Sequence, residues 1–300
     1  MPDPSFLVGS RDAGRRVERF LAGRLQVSLD HVHKLLRQGR VEVGRGTERR
    51  PVEKGHVLQD AEWLYVVPKE GPRPAPLPNR KIRIHTLHED DDLLAVAKPA
   101  GLAMHPGPGH GSDTLLNVLV GRWSELLELG PELEYGLVHR LDLATSGVVL
   151  VARSAAAYHA LVAAFAAREV KKEYWALVRG RPRDNAGAVY SKIDDKEAET
   201  AFQVEAEAGP VTQMTLRPKT GRTHQIRIHA KRLGCPVLGD PRYGDGLDEL
   251  TARLRLRRLA LHATRLELTH PISGAPLELS HRLPRDLRQV WKQAQKLSAE

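Results

Sequence analysis

Cysteine is almost absent from this 300-residue chain: Cys235 is the only one. A lone thiol excludes an intrachain disulfide and every zinc site that needs several cysteines. Its setting, Leu233-Gly234-Cys235-Pro236, is an apolar turn, where a small buried filler is expected rather than a nucleophile. Aromatic residues are also scarce, at 5%, so the core must be built mainly from Leu, Val and Ala. Long hydrophobic runs are missing; a stretch such as Ala160 to Ala167 is far too short to span a bilayer. The opening MPDPSFLVGSRD has no basic segment followed by an apolar run, so no secretory signal is visible. The expectation is a cytoplasmic protein with no membrane partner.

Cofactor and metal patterns are missing too. The loop Pro106-Gly107-Pro108-Gly109-His110-Gly111 is glycine-rich, but no Gly-Lys-Ser/Thr follows, so it is not a phosphate cradle. The acidic run Glu89-Asp90-Asp91-Asp92 lacks the glycine and distal glutamate of a calcium loop and reads as a solvated hairpin turn. His224 and His229 are five residues apart with no glutamate after the first, which excludes a zinc-protease helix. No metal and no cofactor are expected.

Positive charge and histidine are abundant. The formal net charge is +9, with 14 histidines, and favours a polyanionic partner such as nucleic acid. The charge is uneven: through Arg80 there are 15 Lys/Arg against 10 Asp/Glu, a net of +5 on about a quarter of the chain. This basic part ends in the proline-dense stretch Lys69 to Pro78, which reads as a semi-rigid spacer. The organisation expected is a small basic domain over 1–70, a linker over 71–80 and a larger domain over 81–300.

In the small domain Val17, Phe20, Leu21 and Leu25 recur at helical spacing. A second helix fits His31 to Gln38, with Ser28 or Asp30 as cap and Gly39 after it. It carries Lys34 and Arg37, candidates for RNA contact. Strands are expected at Val41–Val43 and Trp63–Val67, around a basic turn from Arg45 to Arg50. In the larger domain the pattern predicts strands at Lys81–His85, Leu93–Ala97, Glu173–Val178, Thr200–Val204 and Thr212–Arg217. Helices are expected after an Asp113 cap and over Ala155–Arg168. Many strands and few helices predict an α+β fold, a mainly antiparallel mixed sheet flanked by helices, preceded by a small α+β domain.

Two polar constellations carry chemistry. His139-Arg140-Leu141-Asp142-Leu143-Ala144-Thr145-Ser146-Gly147 runs straight into the apolar segment Val148 to Ala152. A carboxylate in a short polar loop entering a buried strand can act as nucleophile or base, and a nearby guanidinium keeps it ionised or holds a polyanion. The alternative is a strand-entry turn in which Asp142 satisfies backbone donors. The second constellation is Lys219-Thr220-Gly221-Arg222-Thr223-His224-Gln225-Ile226-Arg227-Ile228-His229-Ala230. Ile226, Ala230 and Leu233 form the buried stripe of a helix capped by Thr223 and stopped by Gly234 and Pro236. Arg227, one turn in, can meet a buried carboxylate or a phosphate bidentately. A purely structural Arg–carboxylate pair is the alternative.

Together these residues resemble the RluA/RluD-type pseudouridine synthases, over nearly the whole chain after the linker. The stretch Glu89 to Leu102 with His105-Pro106-Gly107 is similar to that family's first segment, and HRLDLATSG to its catalytic loop. Lys172-Glu173-Tyr174-Trp175-Ala176 is similar to its tyrosine strand, and Thr220 to Gly244 to its arginine helix and following loop. Ala260 to Ala263 and His270-Pro271 are similar to its closing segments. The first 70 residues resemble, more loosely, the S-four-type RNA-binding domain: Leu29 follows Ser28 where that domain usually has Arg, and Gly44-Arg45-Gly46 replaces its Asn-Gly turn.

The resemblance implies an isomerase that converts uridine in RNA to pseudouridine without a cofactor. It breaks the bond from N1 to the sugar, turns the uracil and joins C5 instead. It implies Asp142 beneath the ribose, either attacking the anomeric carbon or removing a sugar proton to give a glycal. Arg227 would keep that acid charged, and Tyr174 would stack on the uracil. Arg140 would fill the space left by the extruded base, while Arg222 and Lys219 would meet flanking phosphates. The RNA implied is large-subunit ribosomal RNA or its precursor particles, with transfer RNA as an alternative. A non-catalytic ribosome-assembly factor is the runner-up. An RNA methyltransferase lacks its glycine loop here, and a glycosidase fits poorly with a basic surface and a single well-placed acid.

Overall fold

The computed structural model describes residues 5–299 apart from 26, 46–47, 68–74 and 108. The chain divides into two compact units, Met1–Pro74 and Ala75–Glu300.

In the first unit, two helices pack on a four-stranded antiparallel sheet. The strands are β1 (Ser5–Leu7), β2 (Val41–Arg45), β3 (Glu48–Pro51) and β4 (Trp63–Val66), in the order β1-β4-β2-β3. Helix α1 (Val17–Leu25) buries Val17, Phe20 and Leu21; α2 (Leu29–Arg37) buries Val32, Leu35 and Leu36. Ser28 caps α2 by accepting the His31 N–H (3.2 Å). Lys34 and Arg37 lie on its exposed face. The expected basic turn Arg45–Arg50 is in part strand β3; its residues 46–47 lie outside those described.

The second unit is built on a nine-stranded sheet. Its strands are β5 (His85–Glu89), β6 (Leu93–Lys98), β7 (Ser146–Ala152), β8 (Lys171–Arg179), β9 (Ala186–Ile193), β10 (Lys196–Ala208), β11 (Val211–Pro218), β12 (Leu261–Thr269) and β13 (Pro276–Ser280). The order is β5-β6-β7-β12-β8-β11-β10-β9, with β13 also on β12. Among the described strands of this sheet only the β7–β12 pair is parallel. The helices are α3 (Leu115–Arg122), α4 (Ala155–Ala166), α5 (Gln225–Arg232), α6 (Glu249–Arg253) and α7 (Arg285–Leu297). The α+β class with a mainly antiparallel mixed sheet is therefore the fold. Trp123, Tyr135, Trp175 and Phe202 are its buried aromatics among the described residues, beside many Leu, Val and Ala.

Several local expectations are corrected. Lys81–Ile84 is not a strand, because Asn79 Oδ1 accepts the N–H groups of Lys81 (2.9 Å) and Ile82 (3.4 Å) and turns the chain. Residues 77–80 are not linker: Leu77 C=O accepts from Asn117 Nδ2 (2.8 Å), and Arg80 Nε donates to Gly121 C=O (2.9 Å), both on α3. Of the rest of the expected linker, 71–74 lie outside the described residues. Helix α3 is capped by Thr114 in a box with Asn117, while Asp113 pairs with His110.

The β7–β12 junction decides where the site sits. β12 pairs with β8 along one edge; along the other it meets β7 at His262–Ala263 and then β13 from Arg265 to Thr269. The sheet forks there, and the remaining edge of β7 takes the loop that feeds it. Leu137 bridges Val151, and His139 Nε2 accepts the Leu150 N–H (2.8 Å). Gly147 makes the parallel contact possible. Its φ is +130°, and a Cβ there would lie 2.2 Å from the Ala263 carbonyl oxygen. We expect Gly147→Ala to destabilise the fold by more than about 3 kcal/mol in urea unfolding, because backbone must separate from backbone at the centre of the sheet.

The acidic turn before β6 is held by its own side chain. Asp90 Oδ1 accepts the N–H groups of Asp92 (2.9 Å) and Leu93 (2.7 Å), while Oδ2 meets His88 and, at 3.2 Å, His270. Burial pulls this carboxyl up, but His88 and the two backbone donors outweigh it and hold its pKa at about 2. The stabilisation is therefore complete above the ordinary value of 3.8 and is lost as pH falls through about 2. Denaturant unfolding of Asp90→Asn should show a flatter stability–pH curve across that interval.

Candidate active site

A cleft of about 450 Å³ opens where the loop before β7, the start of β8 and the start of α5 meet. Its described lining includes Arg140, Arg168, Lys172, Lys219, Arg222 and Arg227 but one carboxylate, Asp142. Low-dielectric walls bearing one sign of charge concentrate a polyanion in such a place.

The Asp142 loop is fixed from behind. The Thr145 N–H donates to Asp142 C=O (3.1 Å), closing the turn, and Leu141 is buried among the α3 contacts. Leu143 C=O accepts from the Gly101 N–H (2.8 Å) and from Lys98 Nζ (3.2 Å). Lys98 is fully buried and also donates to the carbonyls of Leu102 (2.8 Å) and Pro99 (3.1 Å). Burial lowers its pKa to about 8, and nearby Asp142 opposes the shift. On the other side His139 stacks on Phe165 (5.0 Å). Burial, helped by Lys172, pushes its pKa down to about 4, leaving the neutral imidazole whose Nε2 can accept from Leu150.

Arg227 does reach Asp142, through Nη1 at 3.3 Å. A second carboxylate, which the sequence reading did not name, also meets Arg227. The bidentate partner is Asp240: Nε donates to Oδ2 (2.7 Å) and Nη2 to Oδ1 (2.8 Å). Asp240 is completely buried and also accepts the N–H groups of Arg242 (3.0 Å) and Tyr243 (3.1 Å). Burial alone would raise the Asp240 carboxyl, but Arg227 and these two donors hold it below the usual range. For Arg227, burial acts downward, and Asp240 and Asp142 together raise the guanidinium above its ordinary value. Asp142 is thus met by a cation whose direction a second carboxylate has set.

Helix α5 is held by polar groups facing the sheet. Gln225 satisfies its whole amide: Oε1 accepts from Thr220 Oγ1 (2.6 Å) and the Arg222 N–H (3.0 Å), while Nε2 donates to Glu199 C=O (2.9 Å) and Thr200 Oγ1 (2.9 Å). Buried His229 sits between Thr200 Oγ1 (2.9 Å) and Ser191 Oγ (2.8 Å). The expected Thr223 cap is absent. His224 occupies that position with φ +56° and no side-chain capping bond. Its ring pairs instead with the Tyr243 hydroxyl (Nδ1 to O, 3.1 Å) and stands 4.0 Å from Asp142. Burial lowers its pKa, with Asp142 acting the other way.

Tyr174 lies mid-sheet on β8, between Leu216 of β11 and Ala263 of β12, with its side chain at the cleft. Burial, then the Asp142 charge, raises its phenol far above the ordinary value. Arg140 is exposed at the rim. Lys219 is ion-paired with Glu199 (2.6 Å), and Arg222 Nε donates to Glu197 C=O (3.2 Å). The structure therefore brings Asp142, Tyr174, Arg227, Arg140, Arg222 and Lys219 to one cleft; Lys34 and Arg37 belong to the other unit. Sequence reading missed Asp240, Tyr243, Lys98, His139, Arg168 and Lys172. The signal for Asp240 was available: a helix arginine destined for burial needs a carboxylate, and Gly239-Asp240-Pro241 follows 13 residues later.

An acid held by a fixed guanidinium at the floor of a cation-lined cleft, on this forked sheet, defines an enzyme that acts on a polyanion. The comparisons agree. The family profile for RNA pseudouridylate synthases matches residues 92–232. An uncharacterized RNA pseudouridine synthase of Chloroflexus aurantiacus is 37% identical, over 96% of this chain and 93% of its own. Ribosomal large subunit pseudouridine synthase D of Xanthomonas campestris is 39% identical over 73% and 71%. Among solved structures, human RNA pseudouridylate synthase domain containing 4 superposes with a TM-score of 0.56 at 29% identity, covering 70% of this chain and 92% of that one. The chain belongs to the RNA pseudouridine synthase family, isomerases whose substrate is RNA. Among the described residues no helix is long and apolar enough to cross a membrane, and no cluster of His, Cys, Asp or Glu is placed to hold a metal ion.

Proposed function

We propose that this protein isomerises particular uridines of large-subunit ribosomal RNA, in the cytoplasm, and that Asp142 carries the reaction. The observation that bears most weight is the Asp142–Arg227–Asp240 relay at the floor of a cleft whose other charged walls are cationic. In this reading the target uridine leaves its stack at a cost of a few kcal/mol, and the guanidinium plane of Arg140 stacks in the space it vacates. Asp142 acts at the sugar, as nucleophile on the anomeric carbon or as base for a sugar proton. Arg227 holds the carboxylate in place through its 3.3 Å contact. Tyr174 packs against the uracil as it turns, and its raised pKa keeps the phenol protonated. Arg222 and Lys219 flank the path of the strand.

The ribosomal target rests on relatives whose names specify the large subunit. The first unit, read as an S-four-type RNA-binding domain, presents Lys34 and Arg37 to the same RNA. Carbodiimide-stop sequencing of cellular RNA with and without the protein tests this directly. Loss of discrete pseudouridines from large-subunit RNA is the expected result. Loss only from transfer RNA would overturn the ribosomal assignment.

A further inference from the structure

Arg168 stands where glycine is the ordinary residue. Helix α4 ends at Ala166 with Ala167 as its C-cap, and the next residue, Arg168, has φ +64°. Left-handed backbone just beyond a cap closes many helices, and glycine adopts it without a Cβ penalty. The closure here has that form: the Arg168 N–H donates to Phe165 C=O (3.2 Å) and the Glu169 N–H to Ala164 C=O (2.9 Å). An arginine kept in a conformation that disfavours it, with an exposed side chain lining the cleft, points to a use for that side chain.

Its surroundings say what the use is. Among the described residues the Arg168 side chain makes no ion pair or hydrogen bond. Four positions on, half-buried Lys172 donates to Thr220 C=O (3.3 Å) and to no carboxylate. Burial, then the Arg168 charge, pushes its ammonium below the ordinary value. Glu199, the acid that feels Arg168, is already bound to Lys219. Lys219 and Arg222 are thus engaged, while Arg168 and Lys172 repel each other and, among the described residues, neither is bonded to a carboxylate.

We propose that Arg168 and Lys172 bind a phosphate of the RNA strand, next to the extruded uridine, at the α4 side of the cleft. The inference rests on the reading of the cleft as the RNA site and adds a phosphate contact to it. The test is the salt dependence of affinity for a short fluorescein-labelled oligouridylate, measured by anisotropy on the full chain. Each phosphate contact on a single strand contributes about 0.7 to the slope of log K against log salt.

Arg168→Gly should bind roughly five- to tenfold more weakly and with a slope shallower by about 0.7. Its melting temperature should be unchanged or higher, because glycine suits the backbone. Arg168→Lys should recover most of the slope. Arg288→Gln, the same loss of charge at an exposed site on α7, should leave the slope as it is. An Arg168→Gly slope equal to wild type, or equal to that of Arg288→Gln, would overturn the proposal and leave the cleft reading intact. No measurable binding by the wild-type chain would overturn both.

Discussion

Asp142→Asn should abolish pseudouridine formation while the protein continues to bind RNA. The change is nearly isosteric, so the Arg227 contact at 3.3 Å is kept in shape and loses its charge. An amide neither attacks an anomeric carbon nor removes a sugar proton, so both routes are lost together. Removing a group of this kind costs on the order of 10⁴- to 10⁶-fold in turnover. Binding has no reason to suffer. Among the described lining residues Asp142 is the one acid beside six cations, so neutralising it removes repulsion toward phosphate. Tritium at C5 of uridine is released when C5 joins the sugar, and its release measures turnover; filter binding measures affinity. Wild-type tritium release by Asp142→Asn would end the mechanism proposed here.

The second large effect belongs to a residue that never touches substrate. Asp240→Ala leaves the Arg227 guanidinium buried without its two strongest hydrogen bonds. Stranding a buried charge in this way costs about 3–5 kcal/mol. Arg227 is then free to turn, and Asp142 loses the direction of its partner, so kcat should fall by roughly 10²-fold or more, as it does when positioning fails. Urea unfolding and tritium release on the same variant separate the two consequences. The double replacement Arg227→Met with Asp240→Leu removes both charges and should recover much of the stability. It should recover no activity, because Asp142 still lacks its cation. Recovery of turnover in the double variant would show that the pair serves the fold alone.

Much of the scaffold was legible because it obeys local periodicity. The run Val148–Ala152 lies in β7, which is buried throughout, and Val17, Phe20 and Leu21 are buried on α1. Ser28 caps α2 as its side chain allows. Expectations failed where distant groups competed with local ones. Asn79 turned a stretch that alternates like a strand, and Asn117 chose Thr114 over Asp113 as its capping partner. His224 took the α5 cap from Thr223 because its ring has work with Tyr243, next to Asp142. Strand β12, which forks the sheet and carries the site's back wall, has no turn signal that announces its two partners on one edge.

The sequence alone determined the chemistry available: an aspartate in a polar loop before a buried strand, an arginine on a helix with one apolar stripe, no metal set and a surplus of positive charge. Only the tertiary structure decided how these groups are used. A guanidinium has five donors, and which carboxylates they meet depends on elements far apart along the chain. Folding gave two of those bonds to Asp240 and aimed a third at Asp142, a division of direction and charge that no spacing in the sequence encodes.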